Sequence, residues 1–369
     1  MTQREHQILQ WIRENPLISQ RELAERAGIT RSSAAVHVSN LMRKGIIRGR
    51  GYVLAEDAYV AVVGAVNADI SGTPATALVP EDSNPGHVTV TLGGVGRNIA
   101  ENLSRLGFHT LLMTALGGDA HAGQIRQSCR ELGIDLGQSL PVPGARTSTY
   151  LCLNDSAGEI VAAVSDMAIY DALTPAYVQS KMDTLNHAAL VVIDANLPER
   201  TIEEVARNCK APLFADPVSV KKAGRLRGAL GSLTALKPNR PEATLLTGVK
   251  IRSNDDLPRA AEAFFRLGLK NVFISLGSEG VYYHDGRESG ILPCFSGPIV
   301  NTTGCGDAFI AAAAAGYLRG ERLSEMARMG LAASSLCARA ESAVSPEIGM
   351  EAIERMVNQS KEEHAYEPE

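Results

Sequence analysis

The chain has 369 residues, of which 45% are hydrophobic and 21% charged, and its formal net charge is -5. That length accommodates one large domain and a small one, and the balance is that of an ordinary globular protein without a broad cationic surface. No apolar run is long and uncharged enough to span a bilayer (the alanine-rich stretch 308–318 is too short) and no apolar leader opens the chain, so the expected location is the reducing cytoplasm.

The charge is uneven. Residues 1–57 hold nine Lys/Arg against six Asp/Glu, and the remainder holds 27 against 35, which predicts a basic module on an acidic body. Cysteines at 129, 152, 209, 294, 305 and 337 form no Cys-x-x-Cys pair and read as buried or incidental thiols.

Three short helices are predicted in the first 45 residues. Thr2 and Glu5 make a capping box for the first, with Ile8, Leu9 and Ile12 on its apolar face and Pro16 at its end. Ser19 and Glu22 open a second over 20–27, which Gly28 closes. Thr30 caps the third, where Ala34, Val38, Leu41 and Met42 repeat at helical spacing, and Gly45 closes it. The stretch 46–54, with two apolar segments around a Gly/Arg turn, reads as a β-hairpin. Helix, turn, helix and hairpin resemble a bacterial winged helix-turn-helix. The resemblance implies that Arg31, Ser32, Ser33 and His37 face a DNA groove and that Arg48 and Arg50 meet phosphates. The alternative is a module for dimerisation or for gating the rest of the chain.

From residue 58 apolar strands at 60–66, 111–116, 190–194, 213–216, 234–237 and 272–276 alternate with helical segments at 97–106, 122–132 and 256–267. Alternation of this kind predicts an α/β sandwich on a mainly parallel sheet, with the ligand at the carboxyl ends of the strands. The most informative string is Asn301-Thr-Thr-Gly-Cys-Gly-Asp307 ahead of an alanine-rich helix. Backbone N–H groups of Gly304, Cys305 and Gly306, backed by the helix dipole, suit an anion such as a transferring phosphoryl group. Asp307 at the helix start can take a proton from an attacking hydroxyl, a contribution of about 10²–10⁴-fold.

This string, together with Gly93-Gly94-Val95-Gly96-Arg97-Asn98 and Asn67-Ala68-Asp69, resembles the signatures of the ribokinase-like, PfkB-type carbohydrate kinases across residues 59–350. The resemblance implies a ribokinase-like three-layer sandwich (58–360) with a small β lid from 68–92 and 146–170, and a homodimer formed through paired lids. It implies that Asp307 is the catalytic base beside the Gly304, Cys305 and Gly306 anion site. Asn67, Asp69, Gly93, Gly94, Arg97, Asn98, Asp166 and Asn196 would surround the acceptor. Asn239, Ser275, Gly277, Gly280 and Gly306 would hold ATP, and Glu242 would order Mg²⁺. A K⁺-like ion beside the anion site is a further expectation, with Asn301 and the loop 338–345 around it, although Asn301 stands where relatives often have Asp. Cys305 also departs from the family, which mostly has Ala, and a thiol there is either one of lowered pKa or simply a small residue that fits.

The segments Asp82-Ser-Asn-Pro-Gly, Ser165-Asp-Met and Asp216-Pro-Val-Ser, with Arg97, look like the pseudouridine kinase branch. That points to a ribosyl 5′-hydroxyl as acceptor, with Ser83, Asn84 and Asp166 either touching a base edge or serving as turn residues. A transcriptional regulator whose kinase-like domain only senses a sugar or nucleoside is the competing reading.

Overall fold

The computed structural model describes residues 1–15, 18–44, 46–47, 58–157 and 159–365. The chain divides into two compact units, Met1–Ala58 and Tyr59–Glu369.

In the first unit three helices form where the caps predict: α1 (Gln3–Glu14), α2 (Gln20–Ala27) and α3 (Arg31–Arg43). Both capping boxes are made, and Gly28 closes α2 at φ 62°, in the left-handed region that glycine tolerates. Ile8, Ile12, Ile18, Leu23, Ala34, Val38, Leu41 and Ile47 bury one shared core. Lys44 Nζ lies 2.7 Å from the buried carboxylate of Glu5, tying the end of α3 to the start of α1. Met42, expected on the apolar face, is instead 45% exposed, because the core is already filled by Val38 and Leu41. Gly45 and most of the predicted hairpin (48–54) lie outside the described residues.

Among its described residues the second unit contains fifteen strands. They are β1 (Tyr59–Val63), β2 (Asn67–Pro74), β3 (Gly86–Gly93), β4 (His109–Met113), β5 (Ala115–Leu116), β6 (Ile134–Asp135), β7 (Leu140–Pro141) and β8 (Thr149–Asn154). After them come β9 (Ile160–Asp166), β10 (Leu190–Asp194), β11 (Leu213–Asp216), β12 (Ala235–Leu236), β13 (Asn271–Ser275), β14 (Val281–His284) and β15 (Ser289–Leu292). Nine of these make one sheet in the order β15-β14-β13-β12-β11-β10-β1-β4-β6, parallel except for the β14–β15 edge. Strands β1, β10 and β11 are apolar along nearly their whole length, as sheets covered on both faces require.

The helices of this unit are α4 (Val95–Arg105), α5 (Ala120–Glu131), α6 (Pro175–Ser180), α7 (Met182–His187), α8 (Glu199–Asn208), α9 (Val220–Ala223) and α10 (Arg240–Thr247). They continue with α11 (Leu257–Arg266), α12 (Cys305–Leu318), α13 (Leu323–Ala338) and α14 (Met350–Ala365). Two apolar clusters lie on opposite faces of the sheet. One joins Val63, Val191 and Ile193 to Leu226, Ala261 and Phe264, and the other joins Val62, Val192 and Phe214 to Ile99, Ile310 and Ala314. This is the ribokinase-like three-layer arrangement.

Strands β3-β2-β8-β9 form a separate four-stranded sheet. The register puts Asp69 opposite Thr91 and Tyr150, and Ile70 opposite Val90 and Leu151. Because side chains alternate along a strand, one face of this sheet carries Asp69 and Thr91 and the other carries Val88, Val90, Leu151, Leu153 and Val164.

Candidate active site

Asp307 stands in the first turn of α12, which Gly304 precedes as its N-cap. Gly304 has φ 83°, and any side chain there would collide with the backbone oxygen of Ala343, so the turn requires glycine. A side chain at Gly306 would likewise meet Lys237 Nζ at 3.0 Å. The first helical N–H groups have no partner within a helix. Of the three N–H groups expected to face an anion, that of Cys305 is turned onto Thr302 O at 3.3 Å, which leaves Gly304 and Gly306 as the candidate donors.

The Asp307 carboxylate is buried and accepts a hydrogen bond from Asn98 Nδ2 at 2.8 Å. Burial, with Asp216 and Asp194 nearby, pushes its pKa up to about 8 against the opposing pull of Asn98 and Lys237. Asp194 closes β10, accepts from Ala65 N at 2.8 Å and from Asn196 N at 2.8 Å, and is itself raised to about 6, chiefly by burial. Asp216 closes β11 and faces Lys237 Nζ at 3.6 Å. Parallel strands with a common polarity therefore deliver Asp194 and Asp216 to one end of the sheet, where Asp307 joins them from the first turn of α12.

Asn98 reaches Asp307 because α4 packs closely on β1. Gly96 has no room for a methyl group, since one would stand 2.7 Å from the Gly64 carbonyl carbon. Gly94 at φ 96° starts the helix, and Gly93 leaves the space that the Asp69 carboxylate fills. Asp69 is raised to about 6 by burial, with Arg97 opposing. Asn98 Oδ1 has no hydrogen-bond partner among the described residues. A buried amide oxygen in that condition is an acceptor suited to a hydroxyl donor.

The remaining predicted residues divide. Asn67 Oδ1 is taken by Ser148 Oγ at 2.7 Å, so it fastens β2 to β8. Arg97 is committed to Leu92 O at 3.1 Å, Ser128 Oγ at 3.0 Å and Glu101 at 3.0 Å, and these contacts make it a brace beside Asp69. Asp166 is exposed at the end of β9. Asn84 is spent within its own turn on Val79 and Asp82. Asn196 Oδ1 receives Lys222 Nζ at 2.5 Å. Asp194, Lys237 and Lys222 were not singled out from the sequence, and an acid or lysine at the end of a predicted strand was the available signal.

Asn239 and Glu242 form a reciprocal capping box at the start of α10, with both hydrogen bonds at 2.9 Å. Asn239 bridges to Ser275, which brings the turn Gly277–Glu279 alongside, and Arg240 pairs with Glu279 at 2.9 Å. Gly277 at φ 66° and Gly280 at φ 107° shape this turn. Among the described residues no group of three or more His, Cys, Asp or Glu could hold a metal. Glu242 is a single buried carboxylate, a donor set that fits Mg²⁺ retaining most of its waters.

The Cys305 thiol points to Ser334 O at 3.4 Å and is held below the usual thiol range by a hydrogen bond from Cys337, with Lys237 adding to the effect. Asn301 donates to Glu341 O at 2.9 Å and accepts from Thr303 N at 2.9 Å, pinning the loop before α12 to the loop after α13. In the N-terminal unit Arg31, Ser32 and Ser33 are exposed, while His37 is half-buried with Nδ1 unpartnered. Arg48 and Arg50 lie outside the described residues.

The raised pKa has a stability consequence. Between the unfolded value near 3.8 and about 8 the folded state binds more protons at Asp307, so this group's contribution to stability is full at low pH and is lost as pH rises through 8. Asn keeps an acceptor for Asn98 and carries no charge. Asp307→Asn is therefore expected to melt higher than wild type by more than about 3 °C at pH 9, with the gap closing towards pH 4. Melting curves across this range check it, and a gap that widens on acidification contradicts it.

Residues 57–348 match the pfkB family carbohydrate kinase model, and residues 1–48 match a winged helix-turn-helix DNA-binding model. An uncharacterized sugar kinase of Escherichia coli, YeiI, is 35% identical over 91% of this chain and 93% of its own length. The pseudouridine kinase of the same organism is 34% identical over 83% of this chain and 98% of its own. The solved carbohydrate kinase from Agrobacterium tumefaciens superposes with a TM-score of 0.72 at 29% identity, over 82% of this chain and 97% of that one. With residues 57–348 matching its model and relatives of this identity over most of their length, the chain belongs to the pfkB family of carbohydrate kinases, phosphotransferases that act on the hydroxyl groups of sugars or nucleosides.

Proposed function

We propose that this kinase transfers the γ-phosphoryl group of ATP to the 5′-hydroxyl of a nucleoside, pseudouridine being the first candidate. The observation that carries the reading is the buried Asp307 held by Asn98 Nδ2 while Asn98 Oδ1 stays unpartnered. An acceptor hydroxyl that donates to Asp307 gives up its proton as it attacks phosphorus. A carboxylate made more basic by burial does this well near neutral pH. The Gly304–Gly306 turn, the α12 dipole and Lys237 face the charge developing on the phosphoryl oxygens. Asn239, Ser275, Gly277 and Gly280 belong to the nucleotide side of the crevice. Mg²⁺, ordered through waters on Glu242, would neutralise phosphate charge. K⁺ activation belongs to the same proposal, because the Asn301 and 338–345 loops already meet there. The choice of a nucleoside rests on the 34% identity to a pseudouridine kinase and on the Asp216-Pro-Val-Ser and Ser165-Asp-Met segments.

The four-stranded sheet is read as a lid that excludes water, with Asp69 on its acceptor-facing side. Its other face exposes Val88 (72%), Val164 (65%) and Val90 (48%), apolar side chains of the kind that another protein covers, here a second copy of the chain. A dimer would also give the N-terminal unit two helix-turn-helix copies, which a DNA site needs when each brings few cations.

Two measurements test these readings. Phosphorylation of a panel of nucleosides and free sugars with ATP should show nucleoside turnover that falls about 10²–10⁴-fold in Asp307→Asn, whose fold is kept. An unchanged rate removes the proposed base. Sedimentation of the intact chain with DNA from upstream of its own gene should show a two-chain complex whose affinity drops steeply between about 50 and 200 mM salt and is lost in Arg31→Ala. A single chain that ignores DNA would leave the N-terminal unit as a gating module.

A further inference from the structure

One lysine near the acids at the strand ends is not used in the phosphoryl transfer proposed above. Lys222 lies in α9, six residues beyond Asp216, and its half-buried ammonium lies 2.5 Å from Asn196 Oδ1 and 3.1 Å from Met167 Sδ. Among the described residues it makes no ion pair. An ammonium carries three donors, and a thioether is a weak acceptor, so its hydrogen-bonding capacity is only partly used. Burial pulls its pKa down, while Asp194 opposes that shift.

The position is built. Val218, between Asp216 and Lys222, has φ 65°, a left-handed conformation unfavourable for a β-branched residue, and Asp216 Oδ1 holds it by accepting from Val218 N at 2.7 Å. Strain of this sort collects where a chain must present a group to a ligand. The two partners of Lys222 come from different places. Asn196 follows β10 in the body, and Met167 follows β9 in the small sheet. Lys222 therefore stands where the crevice meets that sheet. Asp194 is close enough to act electrostatically on both Lys222 and Asp307, so the ammonium and the acid share one crevice. The neighbouring carboxylates of Asp194, Asp216 and Asp307 repel an anionic acceptor. The group that fits the ammonium is an uncharged carbonyl oxygen.

We propose that Lys222 is a specificity residue that donates a hydrogen bond to a ring carbonyl oxygen of the acceptor's base, and so selects a pyrimidine nucleoside over the free pentose. This rests on the nucleoside reading given above. The test compares wild type, Lys222→Met, Lys222→Gln and the exposed neighbour Lys221→Met, using pseudouridine, uridine and ribose as acceptors and melting curves to check folding. Lys222→Met should lower kcat/KM for the nucleosides about 10–100-fold, mainly through KM, with the KM for ATP and any ribose turnover much less affected. Lys222→Gln, which keeps one donor, should fall between wild type and Lys222→Met, and Lys221→Met should match wild type. Equal losses on nucleosides and ribose, a raised KM for ATP, or no loss in either Lys222 variant would overturn the assignment while leaving the nucleoside reading intact. Wild-type enzyme that phosphorylates ribose and no nucleoside overturns the nucleoside reading and this assignment with it.

Discussion

The enclosure of one carboxylic acid at a helix start is the constraint on which the rest of the site depends. Burial is the main cost of charge on Asp307, and the neighbouring Asp216 and Asp194 add to it. Against this stand one amide donor from Asn98, Lys237 nearby, and the positive end of α12. The balance leaves a base with an affinity for protons matched to neutral pH, at the expense of stability in the charged form. Many neighbouring features follow from maintaining that balance. Gly304 lets the chain turn into α12 against Ala343, Gly306 admits Lys237, and the Gly64–Gly96 contact brings α4 near enough for Asn98 to reach across.

The sheet explains why the acids converge. Strands β1, β10 and β11 run parallel with their apolar residues buried on both faces, and polar residues appear only where the strands end. Asp194 and Asp216 are those end residues and are paired in register with one another. Two structural bonds, Asp194 to Ala65 N and Asp216 to Val218 N, hold their carboxylates in place and shape the adjoining loops. The acids that raise the pKa of Asp307 are thus also the fastenings of the crevice wall.

Local signals in the sequence were enough for the caps of α1, α2 and α3, for most of the parallel strands to within a few residues, and for the glycine-rich start of α12. Each of those is decided by residues close together in the chain. Contacts set by tertiary approach were not legible. Arg97 reads as an acceptor ligand in its motif, and in the fold its two terminal nitrogens are engaged by Leu92, Ser128 and Glu101, partners that the motif does not reveal, while its Nε has no partner among the described residues. Asn239 and Glu242 carry a helix-capping pattern as well as a family signature, and in the fold each caps the other. Lys222 lies in a short helix with no periodic signal, and its partners sit 26 and 55 positions away.

Whether Asp307 is the base is decided by the pH dependence of kcat/KM for the acceptor, which reports groups of the free enzyme. The rate should climb tenfold per pH unit on the acid side and level off near pH 8, where Asp307 becomes charged. A profile that is flat from pH 6 to 9, at substrate concentrations well below KM, would contradict it.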